Sequence, residues 1–108
     1  MTTRKTPTPG PTGFSGRRAL VIGGSRGLGR AVALDLACAG AKVLVAGRTE
    51  ASLRETCGVA AARGTTVETA RGDARTRASV RAMLRRSGGP DILVVSAGDY
   101  WEGPLARL

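Results

Sequence analysis

The sequence predicts an α/β fold, built as the first half of a doubly wound parallel sheet in the order β-α-β-α-β-α-β. Two observations predict this class. Short apolar runs of strand length recur along the chain, and they alternate with segments in which apolar residues fall at helical spacing. Glycines end most of these segments, and the connections are short. Such strict alternation is typical of parallel strands joined by right-handed helical crossovers.

The first predicted strand and helix lie within residues 19–40. Residues 19–23 read Ala-Leu-Val-Ile-Gly, which is typical of a strand buried on both faces. A turn over 23–27 follows. Apolar side chains at every fourth position then predict one face of a helix, formed by Leu28, Val32 and Leu36. Gly40 is the predicted end of this helix.

The second strand and helix follow directly. Residues 42–46 read Lys-Val-Leu-Val-Ala and predict another buried strand. Thr49 is the predicted N-cap of the next helix, and Gly64 closes that helix. The buried face of the helix is predicted to consist of Leu53, Cys57 and Ala60.

The last predicted elements are two strands and the helix between them. Residues 66–71 alternate weakly and predict a third strand. A helix over 76–86 is expected to turn Val80, Met83 and Leu84 inward, and the Gly-Gly-Pro at 88–90 breaks it. Residues 91–96 form the fourth strand. Because no further strand follows to cover it, this apolar strand is expected to be a partly wet, aggregation-prone edge.

The N-terminal segment differs in composition from everything that follows. Residues 1–13 read MTTRKTPTPGPTG, which is rich in Pro, Thr and Gly and has no apolar periodicity. This composition predicts a disordered leader. The ordered domain is therefore expected to span 14–108.

Composition and charge narrow the classes of function. The net charge of +9 raises the possibility of nucleic-acid binding. However, the basic residues are spread over several elements, and the few aromatic residues, 3% of the chain, do not alternate with them. No nucleic-acid partner is therefore expected. No apolar run reaches membrane-spanning length, and the leader lacks a secretory core, so a cytoplasmic protein without a membrane partner is expected.

Metal and thiol chemistry are also not expected. The chain has no His, and its two cysteines are not arranged in a C-x-x-C motif. A zinc site or a Cys–His nucleophile would need such residues. Cys38 and Cys57 both lie in helical apolar patterns, so they are expected to pack as small apolar side chains rather than form a disulfide.

The glycine-rich segment 23–29, Gly-Gly-Ser-Arg-Gly-Leu-Gly, lies between the first strand and the first helix. In this context Gly23 allows a sharp turn, Gly27 allows the backbone to approach a pyrophosphate, and Gly29 allows close helix–strand packing. The helix N-terminus offers free N–H groups and about half a positive charge to phosphates. No Gly-Lys-Ser/Thr follows, which excludes a P-loop. The segment predicts a Rossmann-type dinucleotide site.

The spacing Gly-x-x-x-Gly-x-Gly of these glycines resembles that of the short-chain dehydrogenases/reductases. The entry segment 14–21 is also similar to that family. Asp73 resembles the family's adenine-contacting acid, and residues 91–98 resemble its fourth strand with the following Ala-Gly. The sequence departs from the family at Ile22, where Thr is usual, and at 95–96, where Val-Ser replaces two Asn.

The resemblance implies hydride transfer between NADPH and a carbonyl or alcohol. It also implies a cofactor site made of Gly23, Ser25, Arg26, Gly27, Leu28, Gly29, Arg48, Asp73, Ala74, Ser96, Ala97 and Gly98. NAD-binding members carry an acid at the end of the second strand. Here Arg48 stands at that end and Arg26 precedes the second motif glycine, so NADP is expected rather than NAD.

The resemblance places the family's catalytic Asn, Ser, Tyr and Lys beyond the fourth strand. Tyr100 does not fit that role, because Pro104 stands where the Lys would be. The chain is therefore interpreted as a truncated cofactor-binding half that is inactive alone. The alternative is a dinucleotide-binding module or regulator without catalysis. A small-molecule substrate, and a homo-oligomer, are expected only for a complete form.

Overall fold

A computed structural model describes residues 13–23 and 27–96. In chain order its elements are β1 (Arg18–Ile22), α1 (Gly27–Cys38), β2 (Lys42–Gly47), α2 (Glu50–Ala62), β3 (Glu68–Arg71), α3 (Arg77–Ser87) and β4 (Ile92–Val95). The predicted order β-α-β-α-β-α-β is confirmed. Nearly all of the predicted leader lies outside the described residues, so its disorder and the domain boundary remain predictions.

All four strands form one parallel sheet in the order β3-β2-β1-β4. The chain therefore runs outward from β1 through β2 to β3, and then crosses back to place β4 on the other side of β1. This reversal of direction is the switch point of a doubly wound sheet, where a crevice opens beyond the carboxyl ends of the strands. The Rossmann-like α/β class is confirmed.

Alternate strand residues point to opposite sides of the sheet, and each side has its own apolar cluster. The α1/α2 face is the side that α1 and α2 cover, and its buried residues are Ala19, Val21, Ala33, Ala37, Ala41, Val43, Val45 and Leu53. The α3 face is the side that α3 covers, and its buried residues are Leu20, Ile22, Leu44, Ala46, Ala70 and Met83. The central strands β1 and β2 contribute to both clusters, which explains their continuous apolar runs.

The face of α1 that packs on the sheet is not the one predicted. Its buried residues are Gly29, Ala33, Leu34 and Ala37. Leu28 is 75% exposed, while Leu36 is only partly buried against the cluster. Gly29, Ala33 and Ala37 form a row of small side chains, and such a row lets a helix approach a sheet closely. The helical spacing of apolar residues alone did not distinguish this row from the neighbouring row of larger side chains, Leu28, Val32 and Leu36.

The faces of α2 and α3 are predicted in part. Leu53 and Ala60 of α2 are buried as expected, whereas Cys57 is half-buried and the fully buried Thr56 was not predicted. On α3 the predicted inward face is buried only in part, because Met83 is buried but Leu84 is 36% exposed. Both cysteines are free thiols.

The two predicted helix starts differ in their caps. Thr49 occupies the N-cap position of α2, but its side chain makes no capping hydrogen bond. Thr76 caps α3, and its Oγ1 accepts a hydrogen bond from the backbone N–H of Ser79 at 3.2 Å. Among the described residues, no helix is long and apolar enough to cross a membrane.

Candidate functional site

The carboxyl ends of the four strands bring together residues that are far apart in sequence. The backbone N–H of Gly72 donates to the carbonyl of Gly47 at 2.9 Å, so the residues after β3 lie beside the end of β2. Gly23 donates to the carbonyl of Ala46 at 2.8 Å. Ser96 donates to the carbonyl of Ile22 at 2.7 Å, which places it beside the end of β1. The carboxyl edge of the sheet therefore carries, in order from β3 to β4, the residues Asp73, Arg48, Gly23 and Ser96.

Two of the motif glycines have backbone conformations that side chains rarely adopt. Gly23 has φ of 86° and Gly27 has φ of 62°, both in the left-handed region. A Cβ built on Gly27 would meet no atom of the other described elements within 4 Å. Its need for glycine therefore comes from backbone conformation rather than from crowding within the chain. Ser25 and Arg26 lie outside the described residues.

The N-terminus of α1 opens at the centre of this edge. The helix begins at Gly27, has 12 residues, and has no acidic side chain in its first turn. The N–H groups of a first helical turn have no acceptor within the helix, and with the helix dipole they create a positive potential that no acid in this turn neutralises. Gly29 is buried beneath this turn, while the Leu28 side chain is exposed at its rim. The arrangement suits a phosphate with an apolar group beside it.

Arg48 and Asp73 are electrostatic neighbours at the ends of β2 and β3. The pKa of Asp73 is lowered from 3.8 to about 2, mainly because its carboxylate accepts hydrogen bonds from the Arg75 side chain and from the Arg75 backbone N–H. The positive charges of Arg75 and Arg48 add to this effect. Arg48 is exposed and follows β2 directly. The ionised form of the Asp73 carboxylate is thus favoured, and the exposed Arg48 lies close enough to add to this effect.

The connection from β3 to α3 is tightly packed. The Ser79 hydroxyl accepts a hydrogen bond from the backbone N–H of Asp73 at 2.7 Å. A Cβ on Gly72 would contact the end of the Met83 side chain and lie 2.8 Å from the Ser79 Oγ, so a larger residue here would force these two side chains to shift. Ala74 is partly buried and packs against the α3-face cluster. These contacts fix the Asp73 backbone in place.

The remaining predicted residues lie at the β4 end. Ser96 is half-buried and close to β1, as described above. Ala97 and Gly98 lie outside the described residues. Val95, one of the two departures from the family's Asn-Asn, is 61% exposed.

Sequence reasoning missed several residues that shape this edge. Arg30 on α1 contacts Thr56 and Glu55 on α2, and Arg75 holds the Asp73 carboxylate. The Asp73–Arg75 pair could have been predicted from the sequence, because the two residues are only two positions apart. Arg30 and Thr56 are separated by 26 residues, so no motif or period in the sequence connects them.

Comparisons with known proteins agree with this architecture. The family model for the short chain dehydrogenases matches residues 17–108. An uncharacterized oxidoreductase of Myxococcus xanthus is 42% identical over 89 residues, 79% of this chain and 35% of that protein. The gluconate 5-dehydrogenase of Gluconobacter oxydans is 39% identical over 99 residues, 88% of this chain and 39% of that protein.

A solved structure shows the same fold. It is a 3-oxoacyl (acyl-carrier-protein) reductase of Agrobacterium tumefaciens with NADP bound, 34% identical to this chain. The two superpose with a TM-score of 0.74 over 91% of this chain and 39% of that one. The chain thus spans between about a third and two-fifths of the length of these relatives. Within that span the family match covers all four strands and all three helices, and the chain belongs to the short-chain dehydrogenase family.

Proposed function

We propose that this chain is the cofactor-binding part of an NADP-preferring oxidoreductase, which transfers hydride between NADPH and a carbonyl or alcohol substrate. One observation carries the proposal. The acid-free N-terminus of α1, the turn at Gly23 and the exposed Arg48 share one edge of the sheet, with no acid at the end of β2. The NADP bound to the related reductase from Agrobacterium tumefaciens supports this cofactor.

In the proposed complex, each element binds a different part of the dinucleotide. The first turn of α1 binds the pyrophosphate through backbone N–H groups, and Arg48 binds the 2′-phosphate, with Arg26 as a second cation. Asp73 remains ionised at neutral pH and accepts a hydrogen bond from the adenine amino group, with Ala74 beside it. By the family resemblance, Leu28, Ser96, Ala97 and Gly98 would contact the nicotinamide half of the cofactor. The cofactor supplies the hydride, and these residues bind and orient it.

The preference for NADP can be estimated from charge. A hydrogen bond to a charged group contributes about 1.5–3 kcal/mol when well formed, and less when exposed. Each arginine is therefore expected to favour NADP about tenfold, and the two together roughly a hundredfold. NAD gains no equivalent contact, because the end of β2 has no acid to accept hydrogen bonds from its ribose hydroxyls.

Fluorescence titration with NADPH and NADH tests the proposal. We expect tighter binding of NADPH, with Arg48→Ala and Arg26→Ala each weakening NADPH about tenfold and leaving NADH unchanged. Arg54→Ala is the matched control, because it removes an exposed arginine that pairs with Glu50 on α2. Equal losses for both cofactors would contradict the proposal and indicate that the arginines serve the fold.

A second measurement concerns activity. Up to Leu108, no residue matches the family's Tyr-x-x-x-Lys pair. We therefore expect the 108 residues alone to bind cofactor without reducing a ketone. The assay is NADPH oxidation over a panel of small ketones, compared with a buffer control. Turnover above that control would show that the proton donor lies within this sequence.

A further inference from the structure

Arg30 joins α1 to α2 through polar contacts that include Thr56 and Glu55. Its Nε donates a hydrogen bond to the Thr56 Oγ1 at 3.0 Å, and its Nη2 lies 3.1 Å from the Glu55 Oε1. The Arg30 side chain is 20% exposed, so most of it is shielded from solvent. The hydrogen bond to Thr56 is partly buried and therefore stronger than one in an exposed ion pair, whereas Glu55 is 67% exposed and its contact with Arg30 is weaker.

The acceptor on α2 is itself held in a fixed orientation. Thr56 is fully buried, and its hydroxyl donates to the carbonyl of Ser52 at 3.0 Å, one turn earlier on the same helix. This bond uses the hydroxyl proton and directs the oxygen lone pairs toward Arg30. Through Thr56, Arg30 therefore binds a rigid acceptor on the body of α2, in addition to the exposed Glu55 carboxylate.

This bridge connects α1, whose first turn is one proposed phosphate anchor, to α2, which follows the other proposed anchor, Arg48. Arg30 directly follows Gly29 at the start of α1, and α2 begins two residues after Arg48. Resting on the proposed function, we propose that Arg30 is a positioning residue for cofactor choice. Its contact with Thr56 and Glu55 fixes the distance between the N-terminus of α1 and Arg48, and so favours a dinucleotide that carries a 2′-phosphate.

The physical reason is that NADP engages both anchors at once. Simultaneous binding of two phosphate groups depends on an anchor spacing that is set before the ligand arrives. NAD uses the α1 anchor but has no phosphate for Arg48, so its affinity depends less on that spacing. A loosened bridge should therefore weaken NADP more than NAD.

A second bridge between the same two helices provides a matched comparison. Arg63, the C-cap of α2, lies 3.4 Å from the Asp35 carboxylate in the last turn of α1. These side chains are 44% and 74% exposed. The pair links the helix ends away from the candidate site. It should contribute to helix packing without controlling the spacing of the anchors.

The experiment compares cofactor affinities of the full chain well below its unfolding temperature. We expect Thr56→Val and Glu55→Gln each to weaken NADPH binding roughly three- to tenfold, and NADH binding less than about twofold. Thr56→Ser, which restores the hydroxyl, should recover the wild-type NADPH to NADH ratio. Arg63→Gln should leave the ratio unchanged, whatever it does to the unfolding temperature.

The outcomes separate this inference from the proposed function. If the wild-type chain binds NADPH and all four variants keep its cofactor ratio, the bridge only stabilises the fold and the inference is wrong. The same holds if Arg63→Gln shifts the ratio as much as Thr56→Val. If the wild-type chain binds neither cofactor, the proposed function fails, and the inference fails with it. Should Thr56→Val not fold, Glu55→Gln still decides the question, because it removes one surface charge and leaves the Thr56 contact intact.

Discussion

The two faces of the sheet differ in how far helices cover them. On the α1/α2 face, Val21 and Val45 are fully buried, and Ile92 and Val94 of β4 pack against the same cluster. On the α3 face, Leu20 of β1 is fully buried, but the side chains that β4 turns to this face are largely exposed. Leu93 pairs with Leu20 in the sheet and is 55% exposed, and Val95 pairs with Ile22 and is 61% exposed.

Simple dimensions explain this difference. Neighbouring strands lie about 4.8 Å apart, so four strands span roughly 14 Å between the outer strand axes, while one helix with its side chains is about 10 Å wide. Two helices can therefore cover the α1/α2 face, but α3 alone cannot cover the other. Among the described residues β4 is an outer strand of the sheet, and its exposed apolar side chains are Leu93 and Val95, whereas Ile92 and Val94 are partly buried.

The largest expected effect tests this contrast with the same substitution on each face. Leu53→Ala on α2 removes a side chain that is 3% exposed, and it should lower the free energy of unfolding by about 2–5 kcal/mol. Leu93→Ala on β4 should change it by about 0.5 kcal/mol or less, because Leu93 is already largely in solvent. Urea unfolding of both variants provides the measurement.

The comparison of Leu53→Ala with Leu93→Ala can also reveal whether the chain associates with a second copy of itself. If Leu93→Ala costs as much as Leu53→Ala, then Leu93 is buried in solution by contacts outside the described residues. Size-exclusion chromatography of the wild-type chain would show whether a second copy supplies them. An exposed apolar strand edge is a template for such pairing.

A smaller effect concerns the helix caps on the two faces. Thr76→Ala removes the hydrogen bond between the Thr76 Oγ1 and the Ser79 backbone N–H, and it should cost about 1 kcal/mol. Thr49→Ala at the start of α2 should cost clearly less, because the Thr49 side chain makes no capping bond. Thermal unfolding of the two variants measures the difference. Equal losses would mean that α2 is capped by Thr49 in solution.

Much of the fold follows from local sequence. Continuous apolar runs located β1, β2 and β4, and for β1 and β2 the reason is burial on both faces, which leaves no place for polar residues. Glycines and caps set the helix ends to within one or two residues, as at Thr76 and Gly88. The face of α1 was not predicted, because rows of small and of large apolar residues have the same period. Only contact with the sheet selects the small row.

The candidate site divides in the same way. The glycine motif and Arg48 could be identified from sequence, because each follows a recognisable strand by a fixed number of residues. The Arg30–Thr56 contact could not, since it depends on how α1 and α2 lie on the sheet. The same is true of the close packing around Gly72, which depends on the approach of the Met83 side chain from α3. Contacts between distant elements are fixed by packing, and one sequence carries no direct signal of them.

The smallest expected effect is a pH dependence at the entry to α3. The pKa of Asp73 is lowered from 3.8 to about 2 by its hydrogen bonds with Arg75. A carboxylate with a lowered folded-state pKa stabilises the fold above its unfolded pKa. That contribution is lost as pH falls from about 4 toward about 2. Asp73→Asn should therefore unfold more easily than the wild-type chain at pH 6, and the difference should shrink steadily below pH 4.

Glu50→Gln removes an exposed carboxylate that pairs with Arg54 on the other face, and it controls for the loss of one negative charge. Unfolding midpoints measured from pH 6 to pH 2.5 decide the matter. A difference between Asp73→Asn and the wild-type chain that stays constant over this range would mean that the Asp73–Arg75 pair does not hold the carboxylate ionised in solution.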